Sequence, residues 1–342
     1  MTTAEFWVLR SGVKYTELVP DPSAVPRVSM DSTAAIKQTV TGSFAENTAV
    51  DLMADRMQIW LVQDGVRYSL GKYIITDMQA RTGTSGRRTG DYTAYDLTYL
   101  VNTSKTETRH FIRAGTRYTD ALQVLLTEAG ITDFVIENTD AVLRTDREDW
   151  EPGTSRLEIC NALLSEINYN SLWMDPDGTL RCTKYRQPDA ASIAHTYRPG
   201  QYSQLYPENS RVLDCFGRAN VFIRVVEDAD TDTPLRAESV NDDPESPFST
   251  VNQHRRVVDY AKLNNIAGQQ ELQAYVDNLK FKSLMATEEV VFYTGPNPNH
   301  HPFDTVALFD GHTGGIYAET AFGIDLAAPW KMEHRGKRVI AL

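Results

Sequence analysis

His300, His301, Asp304 and His312 form the one cluster in this sequence whose residue types could hold a metal ion, because imidazoles and a carboxylate together supply a zinc or iron shell. Their spacing follows no established metal motif. Adjacent histidines in a strand point to opposite faces, and Asn297-Pro298-Asn299 just before them signals a turn. The expectation is therefore a solvated loop with no bound metal. Glycan hydrolysis would need two carboxylates across a cleft, and Glu148, Asp149 and Glu151 gather around Trp150. These acids stand ahead of a predicted helix start, where negative side chains favour the helix dipole and stay solvated. Cys160, Cys182 and Cys215 are widely spaced with no C-x-x-C pair, which suggests neither a disulfide framework nor a zinc site. Cys160 falls on the apolar stripe of a predicted helix and reads as a small buried hydrophobe rather than a nucleophile.

Phosphate-binding and nucleophile motifs are absent from the sequence as well. Arg81 to Gly90 carries three glycines and three arginines, but without P-loop spacing or a following helix it reads as a loop between strands rather than a phosphate cradle. There is no G-x-S-x-G elbow, and no serine or cysteine is flanked in a way that implies activation. The sequence thus predicts no enzyme, with no catalytic, cofactor-binding or metal residues and no cofactor.

The elements around these residues alternate in character. From Phe6 to about Leu100, short apolar or alternating runs broken by turn residues read as antiparallel strands: Phe6–Leu9, Ala35–Phe44, Arg56–Val62 and Leu70–Met78. Asp64-Gly65 between two of them is a hairpin signal, since both residues tolerate positive φ. A helix follows in which Leu122, Leu125, Leu126 and Ala129 share a face and Gly130 supplies the stop. A second helix opens on the capping box Ser155-Arg156-Leu157-Glu158 and lays Leu157, Cys160, Leu164 and Ile167 on one face. Asp175-Pro176-Asp177-Gly178 then turns a hairpin between Ser171–Met174 and Thr179–Thr183. Beyond about residue 197 strands return at Ala219–Val226, Thr287–Tyr293, Thr305–Leu308 and Arg338–Leu342. A helix carrying Leu272, Tyr275, Val276 and Leu279 interrupts them, and an acidic stretch from Glu227 to Pro247 reads as a long loop.

The reading is a mainly β fold with an α+β domain: a first antiparallel β-barrel over 1–104, an α+β domain over 105–196 and a second barrel over 197–342. A length of 342 residues suits two or three domains of roughly 100 to 150 residues each. Hydrophobic content of 41% and 16 tyrosines mark a folded chain. The first residues lack a secretory signal, and no stretch approaches the roughly 20 apolar residues needed to cross a bilayer, so a soluble chain made in the cytoplasm, without membrane insertion, is expected. The formal charge of −12 argues against tight nucleic-acid binding, which relies on lysine and arginine neutralising phosphates.

Tyr118–Leu126, Trp150–Ile159 and Asn168–Gly178 resemble the phage tail baseplate hub family, which includes hub proteins of phage tails, tailocins and contractile injection systems. The similarity extends to Pro234–Ala237, Asp242–Pro247 and Asn297-Pro298. The matching positions are caps, turns and core residues, so no catalytic residue is carried across. The resemblance implies a homotrimer whose two barrels per chain make a pseudo-sixfold ring. One side would meet the tail tube or a distal tail protein, the other a spike, fibre or tail-tip protein, with a tape-measure contact in the lumen. The expected location is the baseplate or tail tip of a virion or tail-like particle. Two other readings stay open: a cell-wall-binding or hydrolysing tail-tip protein, and a hexameric distal tail protein.

Overall fold

The computed structural model describes residues 1–82, 88–200, 203–213, 217–226, 234–285, 288–310 and 314–339. The first group of strands is β1 (Thr2–Arg10), β2 (Val13–Glu17), β3 (Arg27–Asp31), β4 (Gln38–Ala45), β5 (Arg56–Gln63), β6 (Val66–Thr82) and β7 (Arg88–Asp96). Strict alternation drives them: in β5 the buried residues Met57, Ile59 and Leu61 share one face. The β5–β6 hairpin turns at Asp64 and Gly65, with φ of 49° and 83°, as their tolerance of left-handed backbone predicts.

The middle of the chain holds α1 (Thr98–Thr103), β8 (His110–Ile112), α2 (Tyr118–Glu128), β9 (Phe134–Ile136), β10 (Arg147–Trp150), α3 (Arg156–Glu166), β11 (Trp173–Met174) and β12 (Leu180–Cys182). Both expected helices form, and Ser155 caps α3 by accepting from the Glu158 amide at 3.1 Å. The Asp175–Gly178 turn joins β11 to β12 with Gly178 at φ 86°. Leu122, Leu125, Leu126, Leu157, Cys160, Leu164 and Cys182 meet in one apolar core.

The last part contains β13 (Ile193–Tyr197), β14 (Leu205–Leu213), β15 (Val221–Val226), β16 (Leu235–Val240), α4 (Thr250–Gln253), β17 (Val258–Leu263), α5 (Gln269–Met285), β18 (Glu288–Thr294), β19 (Thr305–Phe309), β20 (Gly314–Asp325) and β21 (Met332–Arg338). The acidic stretch read as a loop is partly strand, since β16 pairs antiparallel with β15 along its whole length and buries Ala237 and Ser239 on one face. With β17 parallel on its other side, β15 centres a small sheet that packs Phe222 and Val226 against Leu272 and Val276 of α5. The last strand ends at Arg338, and residues 340–342 of the expected Arg338–Leu342 strand lie outside the described residues.

The two expected barrels do not close. Instead 13 strands form one open sheet ordered β14-β18-β21-β20-β3-β4-β7-β6-β5-β1-β2, with β19 on β20 and β13 on β19. The physical reason lies in β20, which is 12 residues long and pairs with β21 along one edge and with two different strands along the other. Its first half lies on β19, while Ala321–Asp325 lies on Asp31–Arg27 of β3. That pairing occupies the edge of β3 that closure of the first group would need. It also carries Phe322 and Ile324 into the same core as Phe6, Val40 and Phe44. After β2 the chain returns to β4 only through an isolated bridge at Pro20 and Phe44.

Candidate functional site

The dense polar cluster of the last strands is assembled by four elements and one loop. β13 brings His195 and Tyr197, β18 ends on Thr294, β20 carries Glu319 and β21 carries His334. The loop between β18 and β19 supplies Asn297, His300 and Asp304. Its shape is set by short-range bonds: the Asn299 amide donates to Asn297 Oδ1 at 3.1 Å and the His301 amide to Asp304 Oδ2 at 2.9 Å. The Glu319 amide then donates to the Asp304 carbonyl at 2.8 Å, fixing the loop to β20.

At the centre, Glu319 is 3% exposed and accepts from His300 Nδ1 at 2.7 Å and from His334 Nδ1 at 2.6 Å, one imidazole on each oxygen. Those bonds set the tautomers. His300 Nε2 accepts from the Tyr197 hydroxyl at 2.5 Å, and Tyr197 in turn accepts from Asn297 Nδ2 at 3.3 Å. His334 Nε2 lies 2.8 Å from the Thr294 hydroxyl. Burial works to raise the Glu319 pKa, but the two imidazoles outweigh it and hold the carboxyl at about 2. Burial pulls His334 down despite its bond to Glu319. A buried carboxylate with both oxygens satisfied is a stable arrangement, whereas the same group without its partners would be costly.

His195 stands at the rim. Its ring stacks on His300 with centroids 4.0 Å apart, and its Nε2 lies 3.1 Å from the Asn299 carbonyl and 3.4 Å from Asp304 Oδ2. His301 lies further out, with Nδ1 3.9 Å from Asp304 Oδ2.

The structure therefore splits the sequence-defined cluster. His300 is not in a solvated loop: it is 4% exposed, because turn residues 297–304 fold back over β20 and drive its ring into the core. Asp304 sits at its edge, His301 is half-exposed, and His312 lies outside the described residues. The sequence reading missed His195, Tyr197, Glu319 and His334. The concentration of histidine was the available signal, since four of the chain's seven, His195, His300, His301 and His334, gather round Asp304 and Glu319.

The other candidates separate. Asp149 forms a two-pronged ion pair with Arg147, which holds its carboxyl below the usual range. Glu151 pairs with Arg109, and Glu148 is exposed, so each acid has its own setting. Cys160 and Cys182 are buried free thiols in one core, and burial pushes Cys182 up to about 12. Cys215 and residues 83–87 of the glycine-rich stretch lie outside the described residues. Among the described residues no helix is long and apolar enough to cross a membrane.

No protein-family model matches the sequence, and no curated protein matches it. Solved structures do match. The tail protein from Neisseria meningitidis MC58 superposes with a TM-score of 0.71 at 14% identity, covering 98% of this chain and 97% of that one. The fold is that of phage tail proteins. The 43 kDa tail protein of prophage MuSo2 from Shewanella oneidensis shares the tail-protein fold at a TM-score of 0.67 and 10% identity, with 98% of each chain covered. So does an Escherichia coli component of the type VI secretion system described as structurally similar to bacteriophage tail proteins. Its TM-score is 0.54 at 9% identity, over 97% of this chain and 76% of that one. In this tail-protein fold the histidine cluster lies where β13, β18, β20 and β21 converge.

Proposed function

We propose that the chain is a non-enzymatic structural subunit of a phage-type tail. In this reading three copies close a pseudo-sixfold ring that joins the tail tube, or a distal tail protein, to the spike or fibre-bearing tip of a virion or tail-like particle. The observation that carries the reading is the end-to-end likeness to the Neisseria meningitidis tail protein, which leaves almost nothing of either chain unmatched. The open sheet supports it. β2 and β14 end the 11-strand path through the 13-stranded sheet, each with one ladder edge unpaired among the described residues, and Val13, Tyr15, Val212 and Leu213 are exposed on them. Such edges suit a subunit that neighbours complete.

Residues 1–104 and 197–342 would face the ring and residues 105–196 would decorate it. A part of the −12 charge would line the lumen, where repulsion lets nucleic acid or a tape-measure protein pass without sticking. Light scattering on the purified chain, alongside a peptidoglycan turnover assay, tests the proposal. A trimeric mass with no turnover is expected. A hexamer would favour a distal tail protein, and a glycan-binding monomer would sink the ring.

A further inference from the structure

We propose that the cleft beside Trp173 docks an extended acidic peptide segment of another protein, with apolar side chains among its aromatic rings and carboxylates on its lysine ammonium groups. The cleft encloses about 590 Å³, a size usual for specific binding sites. It lies between the chain that follows β12, the end of α5, the β18–β19 loop and strands β20 and β21. Its walls are mostly apolar, with Tyr169, Trp173, Tyr185, Met285 and Phe303 on them. Phe303 meets Trp173 at an interplanar angle of 81°, with centroids 6.2 Å apart, from a backbone φ of 72° that disfavours bulky residues. Trp173 and Thr183 also line a neighbouring cleft of about 580 Å³. The groove thus runs on past the indole and suits a chain rather than a compact molecule.

Charge selects the guest. The chain carries −12 overall, yet Lys184, Lys282 and Lys337 line this cleft, and none has an ion-pair partner among the described residues. Lys282 Nζ instead lies 4.4 Å from the centre of the Tyr185 ring. The acids of the wall are engaged elsewhere: Glu319 with His300 and His334, and Asp304 with the His301 amide. Three ammonium groups are therefore left for carboxylates from outside.

The hydroxyls decide between a peptide and a saccharide. Ser32 gives its proton to the Thr320 carbonyl at 2.9 Å, Ser192 to the Asp189 carbonyl at 2.9 Å and Thr320 to the Arg335 carbonyl at 3.2 Å. The Trp173 indole N–H is likewise given to Thr183 Oγ1 at 3.1 Å. A sugar carries a hydroxyl on most ring carbons and would leave several unpaired here. A peptide asks for less, since apolar side chains fill the walls and carboxylates meet the lysines. The Tyr185 hydroxyl is buried without a hydrogen-bond partner among the described residues. It can donate to a main-chain carbonyl of the guest once Lys282 turns from the ring to a carboxylate.

The test exposes the immobilised full-length chain to an mRNA-displayed library of random twelve-residue peptides. We expect enrichment of sequences with several Asp or Glu residues flanking a Trp, Phe or Leu. Fluorescence anisotropy then measures the most enriched peptide, labelled with fluorescein. Trp173→Ala should weaken its binding at least about tenfold, and Lys282→Glu and Lys337→Glu about fivefold each. Lys105→Glu, an equal charge change at an exposed position outside the cleft, should leave binding unchanged. Circular dichroism identifies a variant that fails to fold, and the exposed Lys282 then carries the test. No enrichment, or a neutral or basic consensus, would overturn the proposal. So would binding untouched by both lysine changes, or binding of oligogalacturonate where no acidic peptide is enriched. The cleft belongs to each chain by itself, so a trimer that enriches no acidic peptide removes the docking site and leaves the ring.

Discussion

Glu319 Oε1 and His334 Nδ1 are bonded at 2.6 Å across the β20–β21 ladder, although the ladder partner of Glu319 is Gly336. Glu319 faces inward by the alternation that also buries Tyr317, and the β-bulge between Glu319 and Ala321 shifts the register so that Phe322, the ladder partner of His334, is buried as well.

Replacing that carboxylate should be expensive. Glu319→Gln keeps the shape but sets an amide N–H₂ against one imidazole N–H and removes the charge both imidazoles bond. Loss of one member of a buried charged network costs about 3–5 kcal/mol. Urea denaturation should show a loss of this size. A loss below about 1 kcal/mol would mean that the cluster is not held together through Glu319.

A second buried network makes the same test in the α+β part. Arg147, 3% exposed, bonds Glu166 at 2.5 Å and Asp149 at 2.7 Å, and Tyr118 donates to Glu166 at 2.7 Å. Burial raises the Glu166 pKa against the pull of Arg147. Arg147→Met should destabilise by about 3–5 kcal/mol, because it strands Glu166, and adding Glu166→Leu should return much of the loss. Equal stability of the single and double variants would show that the two side chains are not coupled.

The parts of the fold legible in the sequence are those set by near neighbours. Asp64-Gly65 and Asp175–Gly178 carry their turn conformation in their own residues, and Ser155 caps α3 through a residue three positions on. The open sheet was not legible, because β3 and β20 are paired from opposite ends of the chain. Glu319 was hidden for a related reason: a glutamate in a strand reads as solvent-facing unless partners make burial tolerable, and its partners lie 19 and 15 residues away. His195 is more than a hundred positions from the loop it meets.

The turn at Gly178 yields a third prediction. Its φ is 86°, and a Cβ there would come within 2.6 Å of Lys72 Cδ, on the strand where Ser69 also donates to the Pro176 carbonyl. Gly178→Ala should cost about 1–2 kcal/mol, the usual penalty for a left-handed non-glycine residue. Adding Lys72→Ala removes the crowding but not the strained φ, so it should recover only part of the loss. Full recovery would place the whole effect in the contact between hairpin and strand.

Lys37 gives a prediction with a definite pH sign. It is 1% exposed and its Nζ donates to the Ser32 and Ala34 carbonyls at 2.8 and 3.1 Å. Burial lowers its pKa from 10.5 to about 8, outweighing the favourable charges of Asp96 and Asp31. Below pH 8 the amine is protonated in both folded and unfolded chains, and the folded state bears the full cost of burying the charge. Between pH 8 and 10.5 the unfolded chain binds more protons than the folded one, so this group adds stability as pH rises. The gain approaches about 3 kcal/mol at about 1.36 kcal/mol per tenfold change in proton affinity. Lys37→Met removes the titrating group at similar length. Urea denaturation of both proteins at pH 7.5, 9 and 10 should show the wild type gaining on the variant at each step, because the other titrating groups cancel in the difference. A difference independent of pH would mean that Lys37 keeps an ordinary proton affinity, with its amine reached by water along the chain between Ser32 and Ala34.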